Sequence, residues 1–223
     1  MSFLGADATV YSFCRPERAV DGARMPDRTS EPNTLLAMQR QAGLTLVELF
    51  VTLAVASVLL AVAVPSYNQL MATSRLSTAA NDFVSALNNA RVEAIRRNNS
   101  TQFCSNSTSS NGTDQLGTDC GTSVGAVRAL SSDGSASTLI QSSPSLPQSI
   151  SVASGVKAVR YTGQGLGQLV SGSGPYSGLL MDLSSNRVST DNHRCLYLTT
   201  GSIVSTCTRT GTCPTSEPAS CQQ

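Results

Sequence analysis

Between Gly43 and Pro65 the chain reads GLTLVELFVTLAVASVLLAVAVP, an apolar run whose one ionisable side chain is the carboxylate of Glu48. The 21 residues from Leu44 to Val64 would reach roughly 32 Å as a helix, which matches the hydrocarbon core of a bilayer. An acid inside such a span is costly, so Glu48 is a candidate functional group.

The surrounding residues say what that acid can do. Gly43 has no side chain, so a protease can approach the backbone closely there, and cleavage after it leaves Leu44 as a cationic amine at a helix start. Glu48 then lies in the first turn, where a carboxylate interacts favourably with the exposed N–H groups and the macrodipole. In a packed array of such helices, Glu48 of one subunit can neutralise the Leu44 amine of its neighbour, sparing hydrocarbon an isolated charge. A plain signal anchor would tolerate an acid near the interface too.

Gly43-Leu-Thr-Leu-Val-Glu-Leu49, with the trailing Ala63-Val-Pro-Ser-Tyr67, resembles the amino terminus of type IV prepilins and type II secretion pseudopilins. The resemblance implies cutting after Gly43 by a prepilin peptidase, N-methylation of Leu44 and a role for Glu48 in assembly. Leu44 stands where Phe is most common.

Ahead of Gly43 lie five Arg, five acidic residues and several Pro and Ser with no apolar period. Two readings fit this stretch: disorder, or a true start at Met38, which gives the short basic leader MQRQAG. The Arg residues precede the span and the next basic residue is Arg75, which orients the amino terminus toward the cytoplasm and the remainder outside. Six cysteines follow the span, an even set suited to an oxidising compartment. The expected pairs are Cys104–Cys120 across a Ser/Asn/Gly loop, Cys195–Cys207 and Cys213–Cys221. The second rests on geometry: Cys195 and Cys207 flank Gly201 symmetrically, so a hairpin turning there sets them opposite one another. No C-x-x-C pair or Cys/His cluster argues for a metal.

Past Pro65 the apolar residues form a helical stripe: Leu76, Ala80, Phe83, Leu87, Ala90 and Ala94 recur every three or four positions between polar residues. This predicts an amphipathic helix over about 66–98, either continuous with the span or kinked at Pro65, with Asn98 and Asn99 as stop signals. From about residue 100 onward, short apolar or β-branched runs alternate with Gly, Ser, Asn and Pro clusters. The expectation is an α+β fold, a long helix packed on a small antiparallel β-domain stapled by disulfides.

A second resemblance covers Ala90-Arg-Val-Glu-Ala-Ile-Arg-Arg-Asn98, then Cys104 and Cys120, and Arg194-Cys-Leu-Tyr-Leu-Thr-Thr-Gly201. These are similar to the GspH/FimT group of minor pilins and pseudopilins, though the Trp-containing strand common in that group is missing. The resemblance implies a low-abundance subunit near a fibre tip, helping to start assembly. Its partners would be other pilins or pseudopilins, the prepilin peptidase and the bacterial inner membrane.

Catalysis has little to stand on. His193 is the only histidine; it neighbours Asp191, but no nucleophile-elbow motif accompanies it. Gly163-Gln-Gly-Leu-Gly167 mimics part of a phosphate-binding pattern without a strand-to-helix transition, so turns are expected there and no cofactor. The alternative function is DNA binding for uptake, through Arg187, Arg194 and Arg209 with help from Arg91, Arg96 and Arg97. Against it, the part after Gly43 holds ten basic and nine acidic residues, too balanced for a strong field. The resulting organisation is a leader over 1–43, a membrane or fibre-core helix over 44–65, an amphipathic helix over 66–98 and a β-rich domain over 99–223. It describes a minor pilin or pseudopilin, not an enzyme.

Overall fold

The computed structural model describes residue 43 and residues 45–152 and 155–221. The leader up to residue 42, with Met38, and the expected methylation site Leu44 lie outside the described residues. Two compact units divide at Thr45. Of the first, Gly43 and Thr45 are described and both are exposed; everything below concerns the second.

One helix, α1 (Leu46–Arg97), runs unbroken for 52 residues with Pro65 inside it. Its charges suit the macrodipole, Glu48 in the first turn and Arg96 and Arg97 in the last. Termination is local. Asn98 adopts a left-handed φ of 47°, and its N–H donates to the Ile95 carbonyl while that of Asn99 donates to Ala94. These two bonds form a Schellman cap, with Asn in the place Gly usually takes.

Nine residues of α1 are buried, from Ala72 through Leu76, Phe83, Leu87 and Ala90 to Ala94. Six of the nine are Ala, small enough to let strands approach the helix closely. They face two antiparallel sheets. Strand β1 (Thr101–Phe103) is central to the first, and a loop holding the short helices α2 (Thr108–Asn111) and α3 (Gln115–Cys120) follows it. That sheet adds β2 (Val127–Leu130), β3 (Ser137–Gln141), β5 (Val159–Tyr161) and β6 (Gly167–Leu169), in the order β3-β2-β1-β5-β6. The second sheet has the order β4-β7-β8-β9, built from β4 (Ile150–Val152), β7 (Gly178–Ser185), β8 (His193–Thr199) and β9 (Ile203–Arg209).

The core lies between α1 and both sheets. Phe83 meets Phe103 edge-to-face at 6.4 Å, and Val127, Tyr161, Leu180, Leu183, Leu196 and Leu198 complete it. Thr101 ties β1 to the helix by donating to the Ala90 carbonyl at 2.6 Å. Gly125 is required where it stands: its φ is +77° and a Cβ would fall 2.4 Å from the Phe83 ring. The glycine run at 163–167 forms the turn between β5 and β6, closed by Gly165 N–H donating to Thr162.

Candidate assembly site

From Thr45 to Leu70 every residue is exposed, although the segment is almost wholly apolar. Phe50 is 64% exposed, Val58 66%, Val62 72% and Leu70 68%. A continuous apolar surface of this size is not stable in water and marks a membrane or protein contact. Among the described residues α1 is the one helix long and apolar enough to cross a bilayer. Its hydroxyls are satisfied within the helix, Thr52 donating to the Leu49 carbonyl at 2.9 Å and Ser57 to Ala54 at 2.8 Å. A segment surrounded by hydrocarbon needs that internal satisfaction.

Glu48 is exposed at the start of this surface. At Gly43 an added Cβ would meet no atom within 4 Å. Among the described residues, packing therefore does not require the glycine. Pro65 sits within the helix, where its missing N–H removes one ladder bond.

The arginines weighed as DNA contacts are placed differently. Arg194 is 7% exposed; its guanidinium donates to the carbonyls of Asp191 and His193 at 2.9 and 3.1 Å and to Ser77 Oγ at 3.3 Å. Burial lowers its pKa against the opposing pull of Asp191. The side chain stitches β8 to α1. Arg91 donates to the Ser202 carbonyl, while Arg96 and Arg97 share Glu93 at 2.8 and 2.9 Å. Hydrogen bonds from Arg96 and Arg97 hold the Glu93 carboxyl below its usual range. Arg187 lies in a groove beside Pro65, and Arg209 in a different one along β9.

The disulfides require a correction. Cys104 bonds Cys120, fixing the α2–α3 loop. The other two bonds are Cys195–Cys213 and Cys207–Cys221, not Cys195–Cys207 and Cys213–Cys221. Cys195 and Cys207 do face each other in the β8–β9 register. Both point to the sheet face away from α1, however, and the tail after Arg209 returns across that face, carrying one sulfur to each. Its course is held by Tyr197 donating to the Pro214 carbonyl at 2.9 Å and by Glu217 accepting from Thr199 and Ser205.

Asp182 also anchors the tail. It is 6% exposed and accepts from the Cys213 N–H at 3.1 Å. His193 Nδ1 lies 2.7 Å from its other oxygen, so the carboxylate partner of His193 is Asp182 and not its sequence neighbour Asp191. Asp182, His193 and Cys213 have the composition of a metal site, but the Cys213 sulfur is committed to Cys195. Sequence reasoning passed over this junction. Its signal was a lone acid within the apolar run Leu179–Leu183.

A long helix, half exposed and apolar and half packed on antiparallel sheets with three disulfides, defines a type IV pilin-like subunit. The family model described as type II transport protein GspH matches residues 79–203, and the chain belongs to that family, one of structural subunits and not of enzymes. The prokaryotic N-terminal methylation motif matches residues 38–64. No curated protein and no solved structure matches the chain. The GspH match begins in the buried half of α1 and ends at the first residue of β9, so the disulfide-bonded tail lies beyond it.

Proposed function

We propose that this chain is a minor pseudopilin of a type II secretion system, held in the inner membrane as a precursor and then drawn into the pseudopilus near its tip to help start assembly. In this reading a prepilin peptidase on the cytoplasmic side cuts after Gly43 and the new Leu44 amine is methylated. Residues 44–65 cross the bilayer and later pack in the fibre core. Residues 66–98 hold the β-rich part, 99–223, on the far side. The observation that carries the reading is the division of α1: exposed and apolar through Leu70, buried from Ala72.

The mechanism is an electrostatic match. Removing the leader creates a cation at Leu44, and the neighbouring subunit's Glu48 compensates it where water is excluded. The pairing favours one axial register between adjacent helices, because any other leaves charge in hydrocarbon, at a cost of about 3 kcal/mol on insertion scales. Two variants expressed in a host with the full machine test this. Glu48→Ala is expected to be cut normally yet incorporate poorly, and Gly43→Val to retain its leader. Normal incorporation of the first, or an unchanged mature band for the second, refutes the corresponding step.

A further inference from the structure

Where α1 leaves its apolar run, a groove of about 820 Å³ opens between the helix and the loops of the second sheet. It begins at Pro65 and Tyr67, and two cations from separate elements reach it: Arg75 from α1 and Arg187 from the turn between β7 and β8. Both are exposed. Among the described residues neither guanidinium makes an ion pair or a hydrogen bond, whereas Arg96, Arg97, Arg128 and Arg160 are ion-paired and Arg91 and Arg194 donate to backbone carbonyls. Among the described residues no carboxylate lines the groove; Asn68, Gln69, Gln148 and Ser149 supply neutral polar groups around the cations.

We infer that this groove seats the phosphate headgroup of an anionic phospholipid of the leaflet into which α1 emerges. The inference rests on the proposed membrane anchoring. Three observations place the lipid there. The apolar run ends at Val64, so the mouth of the groove lies at the level of the bilayer surface. Tyr67, 61% exposed, has the amphipathic character of a residue at the headgroup level. Arg75 follows two turns later, and because helical side chains lean toward the N-terminus its guanidinium is carried back toward the membrane. A phosphodiester supplies the charge that two unpaired guanidinium groups lack, and their planar forks suit its oxygens. A free phosphate would meet the same groups without acyl chains lying along the apolar run of α1 below Pro65.

The same contact bears on assembly. A subunit whose domain grips headgroups stays seated on the membrane, and extraction into the fibre must break that grip. Each arginine near an anionic surface is expected to contribute about five-fold in retention, about twenty-five-fold together.

The test uses the full mature chain in detergent micelles doped with equal phosphatidylglycerol and phosphatidylcholine, with native mass spectrometry counting the lipid that stays bound. Preferential retention of phosphatidylglycerol, falling to the phosphatidylcholine level in Arg75→Gln/Arg187→Gln, supports the inference. Equal retention of the two lipids, or a double variant that keeps the preference, overturns it. Displacement of phosphatidylglycerol by millimolar inorganic phosphate would mean a free-anion site, and displacement by duplex DNA a nucleic-acid site; either overturns it. Flotation with phosphatidylcholine vesicles separates the two readings: a chain that floats but shows no lipid preference loses only the headgroup site, while one that does not float loses the membrane anchoring as well. Both substitutions are at exposed positions, and intact disulfides by mass confirm that the double variant folds.

Discussion

Replacing cysteines in pairs distinguishes the tail's actual course from a simple β8–β9 staple. Cys195 and Cys213 are 18 residues apart and Cys207 and Cys221 are 14. In the chain-entropy account each bridge contributes about 3 kcal/mol by restricting the unfolded chain. The double variant Cys195→Ser/Cys213→Ser removes one whole bridge and leaves the other, so it should cost about 3 kcal/mol and expose no free thiol. Cys195→Ser/Cys207→Ser breaks both bridges at one end. It should cost about 6 kcal/mol, comparable to the total stability of many domains, and leave Cys213 and Cys221 as two alkylatable thiols. The assay is urea unfolding of the mature chain, followed by circular dichroism, with thiol counting by mass after alkylation under denaturing conditions. If Cys195→Ser/Cys207→Ser shows no free thiol and loses no more than its counterpart, Cys213 and Cys221 are bonded to each other and the path described for the tail is wrong.

Phe83→Ala empties a fully buried site against Phe103 and is expected to cost about 3–5 kcal/mol, read as a fall in thermal midpoint; a loss under about 1 kcal/mol would deny that the ring organises the core. Arg194→Ala removes three hydrogen bonds that hold β8 to Ser77 and the preceding turn and should destabilise by about 1–3 kcal/mol with no change in duplex-DNA retention on a gel, whereas lost retention in a still stable variant would return this arginine to a binding role. Acid should weaken the domain. Hydrogen bonds from Ser131 and Ser135 lower the Asp133 pKa to about 2; at Asp114 burial pushes upward, but Arg160 and the Gly117 N–H outweigh it and the pKa falls. Both folded values lie below the unfolded ones, so this stability is fully present above about pH 4 and is lost as pH drops toward about 2. A midpoint that rises on acidification through that window would contradict the assignment.

What could be read from the sequence, and what could not, divides by the range of the interactions. Gly43, Glu48 and Pro65 form a local signature, and the stripe from Leu76 to Ala94 is periodic, so both are readable from one strand of text; every stripe residue proved buried. Strands β1 and β6 read Thr-Gln-Phe and Gly-Gln-Leu, one large apolar residue each with no β-branched run to mark them, and they exist because neighbouring strands pair with them on either side or at the sheet edge. In the second sheet the strands are readable but their two faces are not. Runs such as Leu180–Leu183 and Cys195–Leu198 are buried on both faces, one against α1 and the other beneath the tail. The tail from Thr210 to Cys221 is polar, with no apolar face of its own, so its hydropathy carries no trace of a covering role. It covers through two sulfur bridges, the Tyr197–Pro214 bond and the carboxylates of Asp182 and Glu217. Each of these pairs residues distant in sequence, so the hairpin geometry around Gly201 could place Cys195 opposite Cys207 correctly and still assign both the wrong partner.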